Sequence, residues 1–185
     1  MRYIGSTDTP LTPAGKEQAR RLAVRLKRMP IDRMLTSPSQ RALDTAGPTA
    51  QGTGLSLTMD EDLKEIDFGQ WEGLSFGEIE QKDPDMVAEW ARGGMDFCFP
   101  GGECLAAFWE RVCRAGERLR VFPEESIFVV THGGVIRFML CHFLKLPARS
   151  HFMFEINRGS ISRLNLDEGH AVLSGLNDCS HLEDT

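Results

Sequence analysis

The sequence predicts an α/β layer fold, because segments typical of strands alternate along the chain with segments typical of helices. The clearest strand is the continuous apolar run SIFVV at 126–130, a pattern typical of a parallel strand that is buried on both faces. The clearest helix lies within 101–122, where Leu105, Phe108 and Val112 recur at helical spacing and Leu119 extends the same face.

The other elements follow from local signals in chain order. Thr12 is a typical N-cap residue and Pro13 suits the first helical position, so a helix begins there. DRMLTSP predicts a short strand that Pro38 ends, and the next helix begins near Ser37 or Ser39. The remaining expected elements are a strand and loop at 55–67, short helices at 75–93, a helix from residue 133, and late strands in HFMFEI, GSISRLNL and HAVLSGL.

The bulk composition narrows the class of protein. A chain of 185 residues with 41% apolar content suits a single domain, 1–185, with a substantial core. The net charge of −6 argues against a nucleic-acid partner, because phosphate backbones are bound by clustered Lys and Arg. No apolar run is long enough to span a bilayer, and the first residues carry no secretory signal. These features predict a cytoplasmic protein with no membrane partner.

The cysteines predict neither a disulfide framework nor a metal site. The chain has five of them, an odd number, and no CxxC pair. We therefore expect a reduced protein whose cysteines pack in the interior. Zinc requires closely spaced Cys or His ligands, which the sequence lacks. No metal or other cofactor is expected.

The stretch VVTHGGVIR at 129–137 is the first candidate for function. His132 stands where a buried strand hands over to a helix, and ligands of open α/β sheets bind at the carboxyl ends of the strands. The two glycines permit close approach to the backbone, and the helix N-terminus offers free N–H groups to an anion. The pattern indicates a phosphate or carboxylate site. The alternative is a histidine that only caps the helix.

Two further residues carry charges that suit the same chemistry. Arg41 lies in the first turn of a helix just after a strand, where a guanidinium can hold a phosphate bidentately. Taken alone it could equally be a solvated surface charge. Glu65 precedes a glycine turn and a Trp, and apolar neighbours would raise its pKa as a general acid requires. Taken alone it could be an ordinary loop carboxylate.

Together these stretches resemble the histidine phosphatase superfamily, the phosphoglycerate-mutase-like fold. The matching pieces are GSTDTPLTPAGKEQA, TSPSQRALDTA, EIDFGQWEG, FPGGE, VVTHGGVIR and LNDCSHL, and they occur in the family's order over nearly the whole chain. The resemblance implies a three-layer α/β/α sandwich with a mostly parallel sheet. It also implies attack by a histidine on the substrate phosphate and hydrolysis of the resulting phosphohistidine, which is covalent catalysis in two steps.

The resemblance assigns roles residue by residue. Arg41 matches the arginine that clamps the phosphate, and His132 matches the second histidine, which donates to it. Glu65 matches the carboxyl group that protonates the leaving oxygen. Gly133 lies where a backbone N–H would face the phosphate, and Gly5 matches a substrate-contact position. The family uses no metal, and its partner is a small phosphorylated metabolite.

One family motif is missing from the printed sequence. The nucleophile belongs to an Arg-His-Gly triplet at the end of the first strand, and no such triplet occurs in the chain. We therefore expect this exact polypeptide to lack phosphatase activity and its sheet to lack the first, central strand. A start assigned downstream of the true one, at Met1, would explain both expectations, and a truncated relative is the alternative.

The resemblance is closer to the phosphatase branch than to the glycolytic mutases, because the chain is compact and the motif EIDFGQWEG differs from theirs. It implies a phosphomonoesterase, and the most specific expectation for its substrate is α-ribazole 5′-phosphate, an intermediate of cobalamin synthesis. The alternatives are a sugar phosphate, a nucleotide, or a broad range of phosphomonoesters. The segment 75–102, with Trp90, Phe97 and Phe99, is expected to form a lid-like insertion. The alternatives are a pseudo-enzyme that binds phosphorylated ligands and a mutase-type phosphotransferase. A homodimer is left open.

Overall fold

The computed structural model describes residues 2–167 and 169–183, so the expectation about Met1 lies outside the described residues. The predicted alternation of helices and strands is confirmed. The helices are α1 (Pro13–Leu26), α2 (Gln40–Thr53), α3 (Phe76–Lys82), α4 (Pro84–Ala91), α5 (Leu105–Val121) and α6 (Gly133–Phe143). The strands are β1 (Arg33–Thr36), β2 (Leu57–Met59), β3 (Ile127–Val130), β4 (Ile161–Asp167) and β5 (His170–Asp178).

The parallel sheet has the order β2-β1-β3 and lies between two groups of helices. Side chains alternate across a strand, so neighbouring residues of β1 point to opposite faces. Met34 packs with Ala42 and Ala46 of α2, whereas Leu35 belongs to the larger core that includes α5 and α6. This arrangement is the three-layer α/β/α sandwich of the phosphoglycerate-mutase-like fold.

The sheet has an open edge beside β3. Among the described residues β3 pairs only with β1, and β4 and β5 form a separate antiparallel pair. Both groups of strands nevertheless border one core, because Val129 and Leu164 pack against the same buried cluster. The described strands therefore leave the second edge of β3 without a ladder partner, as expected for a sheet that lacks its first strand.

Local signals define the first helix. The Thr12 hydroxyl accepts a hydrogen bond from the N–H of Gly15, and Pro13 occupies the first turn. The predicted apolar face is buried, and it consists of Ala19, Leu22, Ala23 and Leu26. In α2 the N-cap is Ser39, whose side chain makes no capping bond. No helix within the described part of the chain is long and apolar enough to cross a membrane.

Two expectations about local structure are wrong. The segment HFMFEI does not form a strand, because residues Ala148–Met153 form a 3-10 helix that stacks His151 on Phe138. Cys98 and Cys104 form a disulfide, since the turn FPGGE folds back and brings them side by side. The two cysteines are six positions apart, so they do not form the CxxC pattern on which the expectation was based.

The three aromatic residues of the segment 75–102 differ in their burial, while the role of the segment as a lid stays a prediction. Phe97 and Phe99 are buried in the main core, where they pack on Trp71. Trp90 is only half-buried and contacts the exposed ring of Phe152. The two phenylalanines therefore anchor the segment 75–102 to the core. Of the three aromatic residues, Trp90 alone reaches the surface.

Candidate active site

The fold brings the predicted site residues together at one edge of the sheet. β1 and β3 are parallel neighbours with Thr36 opposite Val130, so the turns that follow them lie side by side. The turn after β1 leads into α2 and Arg41. The turn after β3 leads through Thr131 to His132, the N-cap of α6. The shared strand direction therefore places Arg41 and His132 in contact.

Arg41 is held by three acceptors. Its Nε donates to Nδ1 of His132 at 3.3 Å, and its terminal nitrogens donate to the carbonyl oxygens of Thr7 at 2.9 Å and Gly5 at 2.7 Å. The guanidinium is half-buried beside the Glu65 carboxyl group. A fixed guanidinium with reduced hydration is well suited to bind an anion bidentately.

His132 is buried, with only 8% of its surface exposed. Its Nε2 lies 2.8 Å from the Ser37 hydroxyl oxygen. Burial lowers the pKa of His132 to about 3, and the positive charges of Arg41 and Arg111 act in the same direction. The ring is therefore neutral at physiological pH in the ligand-free protein. An anion bound at Arg41 would favour its protonated form.

Glu65 lies against the start of α6. Its Oε2 accepts a hydrogen bond from the N–H of Gly134 at 3.0 Å, and its Oε1 accepts one from the N–H of the next residue, Ile66, at 3.1 Å. Burial raises the pKa of Glu65, although these two bonds and the charges of Arg41 and Arg111 oppose the shift. This direction agrees with the expectation for a general acid.

The two candidate glycines have different surroundings. A Cβ at Gly133, the first residue of α6, would meet no atom within 4 Å, so free space surrounds this position. At Gly5 a Cβ would collide with the carbonyl oxygen of Ile66. The Gly5 N–H donates to Glu72 at 3.0 Å, and its carbonyl accepts from Arg41. The loop around Gly5 therefore supports the guanidinium, and substrate contact at either glycine stays a prediction.

The sequence analysis missed Arg111, which secures the loop that carries Glu65. Arg111 forms a bidentate ion pair with Glu103, with Nε–Oε1 at 2.7 Å and a terminal nitrogen 2.9 Å from Oε2. It also donates to the carbonyl oxygens of Asp62, Lys64 and Glu65 at 3.0, 2.6 and 3.1 Å. The sequence offered one signal for Arg111, its place next to Val112 within the predicted amphipathic helix. A partly buried arginine in such a helix needs hydrogen-bond partners.

Ser37 and Glu72 were also missed as parts of the site. The carboxylate of Glu72 accepts N–H bonds from Gly5, Ser6 and Thr7 and so fixes the loop whose carbonyls hold Arg41. Burial acts to raise the pKa of Glu72, but hydrogen bonds from the Thr7 side chain and from the N–H groups of Gly5, Phe68 and Ser6 bring it below its ordinary value. Glu72 stands in the same motif as Glu65, and Ser37 in the same motif as Arg41. The two motifs are visible in the sequence, but the contacts that Ser37 and Glu72 make depend on the tertiary structure.

The site thus combines a guanidinium, a buried histidine and a buried carboxyl group beside a helix N-terminus, an arrangement whose chemistry suits an anion. The model of the histidine phosphatase superfamily (branch 1) matches residues 1–179, and the chain belongs to this superfamily. It is therefore a phosphatase by family.

The relatives are similar in sequence and in structure. The chain is 32% identical over 176 residues to an adenosylcobalamin/alpha-ribazole phosphatase of Salmonella typhimurium, covering 95% of this chain and 87% of the relative. It is 31% identical to phosphoserine phosphatase 1 of Hydrogenobacter thermophilus, covering 98% and 86%. The crystal structure of the alpha-ribazole phosphatase from Shigella flexneri superposes with a TM-score of 0.88 at 30% identity, covering 96% of this chain and 88% of that one.

Proposed function

We propose that Arg41, His132 and Glu65 form the anion-binding and acid part of a phosphomonoesterase site. The observation that carries the proposal is the contact of Arg41 Nε with His132 Nδ1 at 3.3 Å, with the buried Glu65 carboxyl group bonded to the same helix N-terminus. Two groups that can bind an anion and one carboxyl group whose pKa is raised by burial are thus held together, although they lie far apart in the sequence. Such preorganisation is the main source of catalysis in phosphoryl transfer.

Each residue has a defined task in this proposal. Arg41 releases the Thr7 and Gly5 carbonyls and turns its terminal N–H groups to the phosphate oxygens. His132 takes up a proton and donates to the same phosphate. Glu65 protonates the leaving oxygen as the P–O bond breaks, which requires the raised pKa that its burial provides. Gly133 offers its N–H at the helix N-terminus.

For the site completed by the Arg-His-Gly histidine of the family, the substrate is proposed to be α-ribazole 5′-phosphate, with hydrolysis through a phosphohistidine on that histidine. The support is the similarity to alpha-ribazole phosphatases in sequence and structure. The similar identity to a phosphoserine phosphatase makes O-phosphoserine the comparison substrate. Within the proposed single domain, the segment 75–102 would act as the lid, and its half-buried Trp90 would face the group that leaves.

The polypeptide of this exact sequence is proposed to bind phosphate without turnover. The family's Arg-His-Gly nucleophile does not occur in it, and its histidines other than His132 lack that context. A second candidate function follows from the same observation: a pseudo-enzyme that holds phosphorylated ligands through Arg41 and His132. The two candidate functions differ in one respect. In a phosphatase, a nucleophile supplied by a further strand converts binding into hydrolysis, whereas in a pseudo-enzyme it does not.

The test is calorimetric titration with orthophosphate, followed by an assay with p-nitrophenyl phosphate and with α-ribazole 5′-phosphate. We expect phosphate binding that Arg41→Lys and His132→Gln weaken, and no hydrolysis. The matched control is Arg28→Lys, an exposed arginine just after α1. Absence of phosphate binding would refute the proposed site. Hydrolysis at an ordinary enzymatic rate that His132→Ala abolishes would refute the proposed inactivity.

A further inference from the structure

Both ring nitrogens of His132 are bound by one short turn. Ser37 follows β1 directly, and its hydroxyl oxygen lies 2.8 Å from Nε2. Arg41, four residues later, donates to Nδ1 at 3.3 Å. Ser37 is completely buried and His132 almost so, at 0% and 8% exposure. The contact joins residues 95 positions apart in the sequence.

Because arginine can only donate, it fixes the direction of each hydrogen bond in the series from Arg41 through His132 to Ser37. A guanidinium only donates, so Nδ1 of His132 must accept and must carry no proton. The proton of the neutral ring is therefore on Nε2 and is donated to the Ser37 oxygen. The Ser37 hydroxyl in turn donates to the Ser39 oxygen at 3.2 Å, and the Ser39 N–H donates back at 3.3 Å. The Ser37 hydroxyl proton is therefore used in the bond to Ser39, and the Ser37 oxygen accepts the Nε2–H of His132.

We propose that Ser37 is the positioning residue of His132, holding the proton on Nε2 so that Nδ1, the nitrogen facing Arg41, is the atom that responds to an anion. When an anion joins Arg41, the Arg41 Nε–H leaves Nδ1, the freed Nδ1 lone pair takes a proton from solvent, and the new N–H donates to the anion. The Nε2–H bond to Ser37 is unchanged in this step. The second half of the inference rests on the proposed function; the tautomer in the free protein does not.

The charges around the ring agree with this sequence of events. The cationic groups that act on it are Arg41 from α2 and Arg111 from α5, and both disfavour a positive ring. An anion at Arg41 offsets their effect and adds an acceptor for the new proton. Without the Ser37 acceptor, the Nε2–H tautomer would leave a buried donor unsatisfied, and only the longer Arg41 contact to Nδ1 would still favour that tautomer.

The experiment is nitrogen NMR of the ¹⁵N-histidine-labelled protein without phosphate, with the His132 signals assigned from His132→Gln. In the wild type we expect a protonated Nε2 and an unprotonated Nδ1. Ser37→Ala removes the acceptor, and the preference for the Nε2–H tautomer should fall by about tenfold, so that mixed shifts appear. Ser37→Thr should restore the wild-type pattern. The control is Ser56→Ala, at an exposed serine outside the site, and it should keep the wild-type pattern.

The outcomes separate this inference from the proposed function. A wild-type tautomer pattern in Ser37→Ala would overturn the role of Ser37, as would a protonated Nδ1 in the wild type. If Ser37→Ala does not fold, Ser37→Cys gives the same comparison, because a thiol is a weak acceptor. Addition of orthophosphate to the wild type should then protonate Nδ1 as well. Failure of that step alone, with the free-protein tautomer as expected, would refute the phosphate site and leave Ser37 as the residue that orients the ring.

Discussion

The Glu65 carboxylate occupies the N-terminal end of α6, where its Oε2 accepts the Gly134 N–H at 3.0 Å. A buried carboxyl group is thereby coupled to the helix that begins just after His132. The bond and the helix dipole favour the charged form, whereas burial favours the neutral one, and burial has the larger effect on the pKa. The proposed acid and the proposed anion site therefore share one helix terminus.

Gly134→Ala is predicted to disturb this relationship. A Cβ at position 134 would collide with the Glu65 carboxyl oxygen, so the carboxyl group must move away from the helix. We expect a loss of about 1–3 kcal/mol in the free energy of unfolding. Gly133→Ala is the matched control, because its Cβ meets no atom within 4 Å. Chemical denaturation measures both, and equal stability of the two variants would contradict the close packing of Glu65.

His132 is predicted to make stability depend on acid pH. Its pKa falls from 6.5 to about 3 on folding, so between these values the unfolded chain binds more protons than the folded one. Stability therefore decreases as the pH falls through this window and is complete above it, with a slope of at most about 1.4 kcal/mol per pH unit. Denaturation of wild type and His132→Gln from about pH 4 to 8 measures the difference, which should appear only below the ordinary pKa of 6.5. Parallel pH profiles would exclude a buried neutral histidine.

Arg111 is predicted to stabilise the Glu65 loop. Arg111→Ala removes the ion pair to Glu103 and leaves three carbonyl groups without this donor. The expected loss is about 2–4 kcal/mol, because the pair is largely shielded from water, with side-chain exposures of 13% and 19%. The control is Arg114→Ala: its side chain is 59% exposed, and its pair with Asp62 should contribute below about 1 kcal/mol. Similar losses for both would show that Arg111 has no special role.

A separate strand is predicted to complete the sheet. Within the described residues β3 has one unpaired edge, and edge strands accept further strands through main-chain hydrogen bonds. A synthetic peptide with an apolar strand ending in Arg-His-Gly should therefore pair with β3 and raise hydrolysis of p-nitrophenyl phosphate. The matched peptide with Arg-Ala-Gly should bind without activity. Equal rates with both peptides, or no effect of either, would count against a nucleophile supplied from this edge.

Several elements could be predicted because their signals are local. Thr12 and Pro13 begin α1 as expected, and the run at 126–130 gives β3 followed by His132 at a helix N-terminus. The raised pKa of Glu65 was also predictable in direction, since Ile66 and Phe68 lie close to it in the sequence. By contrast, HFMFEI was assigned to a strand from its short apolar pattern, which the stacking of His151 on Phe138 overrides.

The sequence by itself determined the α/β class, the order of the elements, and the identity of the motifs that carry Arg41, Glu65 and His132. These depend on residue periodicity, capping and turn chemistry, which act over a few positions. Only the tertiary structure decided which groups touch: Ser37 with His132, and Arg111 with the Glu65 loop. The reason is physical, since these contacts join distant segments. Their partners are selected by the parallel pairing of β1 with β3 and by burial of polar groups that must each find a hydrogen bond.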